Sequence, residues 1–120
     1  MFHFTIRQGA TLPSMSWQVV DSAGAVPDLS TATAAYFVRW PPSAADERSP
    51  DLDVPPEVLP AVVEDNGVVR VDWSAANTAT ATTWLGLFHV HFPGGRVLKA
   101  PAPADVWIRV IVTPDPSTTP

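Results

Sequence analysis

The chain has no cysteine, which removes disulfides, thiolate nucleophiles and Cys-based zinc sites together and leaves stability to packing or to partners. Glycine is scarce, six residues against fourteen prolines. That balance argues against long helices and for short strands joined by stiff connections. Basic residues are few as well, seven Lys and Arg against twelve Asp and Glu, for a net charge of −5. Because the seven are scattered along the sequence, the clustered cations that nucleic-acid phosphates require are missing. No apolar run reaches the roughly 18 residues of a membrane-spanning helix. The opening residues lack the basic, apolar and small-residue regions of a secretory signal. Neither nucleic acid nor membrane is expected as a partner.

What is present is a core. Hydrophobic residues make up 46% of the 120 positions, with five Trp and five Phe, while charge is limited to 16%. This composition fits one folded domain of mostly β structure. The stretch from Asp65 to Phe92 organises it. Asn66 and Gly67 accept the positive φ that a tight hairpin needs, and Val69, Val71 and Trp73 then alternate with Arg70 and Asp72. Trp84, Gly86, Phe88, Val90 and Phe92 repeat the two-residue period with larger side chains. Pro93, Gly94 and Gly95 form a second hairpin turn, leading into a strand over 96–99.

Upstream, Phe2, Phe4 and Ile6 alternate with polar neighbours and predict an edge strand, and Met15, Trp17 and Val19 predict a second. A turn is expected over 21–24. In the strand 34–40, Tyr36, Val38 and Trp40 fall on one side and Ala35, Phe37 and Arg39 on the other. Aromatics on both sides imply a strand covered on both faces, or one whose outer face meets another protein. Six prolines and five acids crowd residues 41–60, which reads as a long exposed loop. Ser74 offers a cap for a short helical turn, but the threonines up to Thr83 favour an irregular crossover. An extended connector follows over 100–103. Val106, Ile108, Val110 and Val112 line one face of the last strand, with Trp107, Arg109 and Ile111 opposite. Seven to eight strands with turns at this spacing predict a β-sandwich over residues 1–113, and a proline-rich tail, 114–120, that is flexible or docked on a partner.

Chemistry is hard to find. His89 and His91 point the same way on a strand and so have metal-ligand character, but only His3 or Asp72 offers itself as a further ligand. Asp46, Glu47, Asp51, Asp53 and Glu57 are oxygen donors of the kind Ca²⁺ takes, without the glycine and bidentate glutamate of a calcium loop, and prolines hold them on separate segments. The same prolines are poor support for a glycosidase pair, whose carboxylates must be fixed across a cleft. Ser14, Ser16 and Ser74 lack the surroundings of a nucleophile elbow. The turn glycines form no phosphate-cradling loop. Trp17 and Trp73 alternate as core, while Trp40 and Trp107 are candidates for partial exposure, more in keeping with a protein interface than with a sugar platform. No enzymatic activity and no cofactor or metal are expected.

The order of segments adds a resemblance. Phe4–Gly9 with Pro13, Val20–Gly24 leading to Val26–Leu29, the strand 35–39, Asp65–Trp73, Leu85–Phe88, Phe92–Gly95 and the closing Ile108–Val112 together resemble the N-terminal domain of phage baseplate upper proteins. That module is an immunoglobulin-like antiparallel β-sandwich found in tail and other virion proteins, and the likeness runs from about Phe2 to Val112. The chain departs from it in the longer 41–60 loop and in an Ala- and Thr-rich approach to Trp84; those proteins also continue into further domains. The resemblance implies a non-enzymatic virion component of tail, baseplate or neck, assembled in the host cytoplasm in multiple symmetric copies with other phage structural proteins. Its alternatives are a capsid decoration protein and a receptor- or glycan-binding module on the virion. Candidate interface residues are Trp40, Phe37, Trp107, Ile111, Pro55, Pro56, Pro114 and Pro116.

Overall fold

The computed structural model describes residues 2–20, 23–101 and 107–115, and the fold is all-β. Eight strands run in the order β1 Phe2–Arg7, β2 Met15–Gln18, β3 Ala34–Trp40, β4 Glu57–Val63, β5 Val68–Val71, β6 Thr83–His91, β7 Val97–Ala100 and β8 Ile108–Thr113. They follow one hydrogen-bonded path, β1-β8-β6-β3-β4-β5-β2, with β7 attached to β6. Two strands divide their length between neighbours. β6 gives Thr83–Gly86 to β8 and Phe88–His91 to β7. β4 gives its first residues to β3 and then Val62 and Val63 to β5. At β4 the sheet turns over, so its two arms pack face to face. One departure from a purely antiparallel arrangement is the parallel pairing of β1 with β8, from Phe2↔Ile108 to Arg7↔Thr113.

Alternation explains the core. Phe37, Phe88, Val90, Val69 and Val71 are completely buried, and Trp73 lies edge-on to Phe37 at 6.4 Å and stacked on Phe4 at 5.8 Å between ring centroids. Phe37 and Phe88, directly paired across β3 and β6, are 5.1 Å apart. At the two ends of the path, Phe2 of β1 meets Trp17 of β2 at 4.2 Å, which nearly closes the sheet into a barrel. Gly86 is required where it stands. A Cβ there would meet the Val38 carbonyl oxygen at 2.5 Å and the Phe37 ring at 2.7 Å.

Both expected hairpins form, each with a three-residue connection. Residues 65–67 close with Glu64 N donating to Val68 O at 2.7 Å, and 93–95 with Phe92 N donating to Arg96 O at 2.9 Å. Asn66 and Gly67, like Gly94 and Gly95, supply the positive φ that brings the chain back on itself. The 74–83 segment combines a short capped turn with an irregular stretch over 79–82. Ser74 Oγ accepts from Asn77 N, and Asn77 Oδ1 accepts from Ser74 N, a reciprocal cap on the 3-10 turn Ala75–Thr78. β2 is shorter than expected, ending at Gln18. Parts of the turn over 21–24 and of the connector over 100–103 lie outside the described residues.

Candidate interaction surface

The strand register sorts the side chains of the larger arm into two faces. On the inner one, Arg39 continues the line of Ala35 and Phe37 and is almost fully buried. Its Nη2 donates to Glu57 Oε1 at 2.7 Å and to the Asn77 carbonyl at 2.8 Å, and its guanidinium lies 4.1 Å over the Trp84 ring. Burial holds the Arg39 pKa below its ordinary value, and Glu57 partly restores it. Arg39 therefore closes this end of the core and ties the root of the 41–56 loop to the capped turn at 75–78.

The outer face is different. Cross-strand rows run Arg109–Leu85–Trp40, then Leu87–Val38–Val58, then Lys99–His89–Tyr36–Pro60. Val38 and Leu85 are buried on this side of the sheet, apart from the main core. Trp40 and Trp107 are half-buried and meet edge-on at 6.0 Å, Leu87 and Ile111 are half-buried, and Val58 is 53% exposed. Aromatic and aliphatic side chains thus form a stripe across the middle of the face. Basic side chains flank it. Arg7, Lys99 and Arg109 occupy outward positions on these strands, as do the imidazoles of His3, His89 and His91, and no acidic residue does. Beside them, Asp115 lies 3.8 Å from Arg7.

The candidate interface residues separate accordingly. Trp40, Trp107 and Ile111 share the outer face, with Trp40 and Trp107 in contact. Phe37 is a correction. It is on the inner side of the same strand and fully buried between Phe88 and Trp73, because the odd positions of β3 face the core and the even ones face out. Pro55 and Pro56 are exposed on the loop and Pro114 is exposed after β8. Pro116 lies outside the described residues.

The polar candidates are occupied or surrounded by the wrong charge. Lys99 is directly opposite His89, and burial, Lys99 and His91 in that order press the His89 pKa below its ordinary value. A neighbouring ammonium opposes a metal cation at the same place. Asp72, suggested as a partner ligand, is on the other arm, where it accepts from Arg70 at 2.9 Å and from Ser14 at 2.7 Å. Among the described residues no three His, Asp or Glu side chains are grouped to hold a metal ion. In the 41–56 loop two carboxylates serve the backbone. Asp46 Oδ1 accepts from Arg48 N and Asp51 Oδ1 from Asp53 N. A cleft of about 550 Å³ opens at the opposite end, beside Val26, Asp28, Glu64 and Asp65. Two of its acids are engaged, Asp28 by the Ser30 amide and Glu64 by Arg70.

Sequence reasoning missed the segregation of charge, because Arg7, Lys99 and Arg109 come from β1, β7 and β8. The available signal was that His3, His89, His91 and Arg109 each fall out of phase with the apolar positions of their strands. No family model matches the chain, and no curated protein is similar to it.

Proposed function

We propose that this chain is a non-enzymatic structural subunit of a phage particle, an immunoglobulin-like domain of the tail, baseplate or neck held in place by protein contacts. The observation that carries the reading is the outer face of the larger arm, where an aromatic and aliphatic stripe stays half-exposed over a sheet whose core is already complete on the other side. Surface of this kind is characteristic of a protein that is covered by neighbours. Topology supports the immunoglobulin-like part. The order β3-β6-β8 in one arm and the pairing of β2 with β5 in the other correspond to the C-F-G and B-E strands of that sandwich. The phage assignment itself draws on the segment order from Phe4 to Val112.

The test is direct. Particles purified from an infected culture by density gradient are probed with an antibody against the chain, and its position is determined by electron microscopy. The reading expects a fixed copy number at a symmetric position in every particle. Particles that lack the chain altogether overturn it.

A further inference from the structure

We infer that the outer face is a docking surface for a second copy of the same chain, and that what it receives is that copy's acidic loop over residues 41–56. The two surfaces complement each other in charge and in apolar content. Among the described residues, the strands of the face place Arg7, Lys99 and Arg109 outward and no acid, and Asp115, just past β8, is paired with Arg7. The loop carries Asp46, Glu47, Asp51 and Asp53 against Arg48 alone, four negative charges to one positive. Leu52 and Val54, beside two of those acids, are 64% and 39% exposed, and they match the stripe of Trp40, Trp107 and Leu87 between the cations. Opposite potentials bring such surfaces together and set their register, while the apolar centre supplies the contact.

The loop is already shaped for the role. Ser43 N donates to Ser49 O and Asp51 N to Pro41 O, both at 2.8 Å, and Pro42 bridges Pro50. Its root is fixed by the pairing of Glu57 with Arg39. Little conformational freedom is left to lose on binding. Its hydrogen bonds among the described residues close within it, and Asp46, Glu47 and Asp53 are exposed, so its own sheet does not take them up. Each copy then offers one loop and one face, and the contact is either reciprocal in a two-fold dimer or head-to-tail in a ring or filament. Two faces meeting each other would instead set like charges together.

This inference takes from the proposed function only that the chain works through protein contacts. Sedimentation velocity on the full chain, from micromolar to millimolar concentration, tests it with two reversed variants. One is Arg7→Glu with Lys99→Glu on the face, the other Glu47→Lys with Asp53→Lys on the loop. Far-UV circular dichroism and thermal melts verify that each folds; Arg7, Lys99, Glu47 and Asp53 are all exposed. The wild-type chain associates with rising concentration, more weakly as salt is added, and each variant alone associates at least about tenfold less tightly. An equimolar mixture of the two variants recovers association. A wild-type chain that stays monomeric throughout overturns the inference, as does association indifferent to salt or to the loop reversal, or a mixture that fails to recover. None of these results bears on whether particles contain the chain, so a failure here and a failure of the proposed function are separable.

Discussion

Arg39 shows how one side chain decides local stability. Its Nε and Nη1 are buried without a hydrogen-bond partner among the described residues, so the cost of taking the guanidinium out of water is only partly offset by Glu57, Asn77 and Trp84. Removing either end of the ion pair therefore has unequal consequences. Glu57→Gln leaves a buried cation with less to neutralise it and is expected to cost about 2 kcal/mol, below the 3–5 kcal/mol typical of fully buried pairs because Glu57 is itself open to water. Arg39→Met frees Glu57 to the solvent and places an apolar chain against Trp84. It should cost less, about 1 kcal/mol, and urea denaturation of the two variants checks the order. His89 supplies a pH dependence. Its pKa is lower folded than unfolded, so below about pH 6.5 the unfolded chain binds more protons, and stability falls on acidification until the folded group is also protonated. In His89→Gln the difference in urea midpoint between about pH 7.5 and about pH 5 should shrink. Alternation alone places Arg39 beside Phe37 and His89 out of phase with Val90. It does not reveal Glu57 or Lys99 as their neighbours, since those contacts depend on strand pairing.

Among the elements, β6 is the one the others depend on, because it pairs with β3 from Leu85 to His91 and with β8 and β7 on its other side. Gly86 sits opposite Arg39 on β3, with no room beside it for a side chain. Gly86→Ala drives a methyl group into the Val38 carbonyl, a backbone atom that cannot move without shifting β3. The expected loss is about 2 kcal/mol, in the range of overpacked cores, and a thermal melt reads it. At the Ala75–Thr78 turn, Ser74→Ala removes the cap and should cost about 1 kcal/mol by the same measurement. The strands were readable from the sequence because period-two alternation is strong in Phe2–Ile6, Val69–Trp73 and Trp84–Phe92. Both hairpins were readable because Asn66, Gly67, Gly94 and Gly95 tolerate positive φ. Two features were hidden from that reasoning. The division of β4 between β3 and β5 leaves no mark in the sequence, where Val58, Leu59, Ala61, Val62 and Val63 are all apolar and show no two-residue period. The parallel pairing of β1 with β8 joins segments too distant for any turn residue to announce.

For the whole molecule, that last pairing is the decisive one. Phe2 and Ile108 lie at opposite ends of the described chain, so forming β1-β8 closes nearly the entire sequence into a loop, whereas β6-β7 and β4-β5 close short hairpins. Topologies dominated by distant contacts fold in milliseconds to seconds, and the most distant pairing is entropically the last to become favourable. β1 should then be absent from the folding transition state, while β3 and β6 are largely formed in it. The two regions differ in how a core truncation acts. Ile6, 2% exposed on β1, loses about 3 kcal/mol as Ile6→Ala, and nearly all of it should appear as unfolding accelerated by about a hundredfold with the folding rate unchanged. Val90, fully buried at the centre of β6, loses about 2 kcal/mol as Val90→Ala, and a substantial part of that should appear as slower folding. Stopped-flow chevrons of the two variants separate the cases. If Ile6→Ala slows folding as much as it speeds unfolding, β1 is already docked on β8 at the barrier, and closure of the sheet comes before completion of the core.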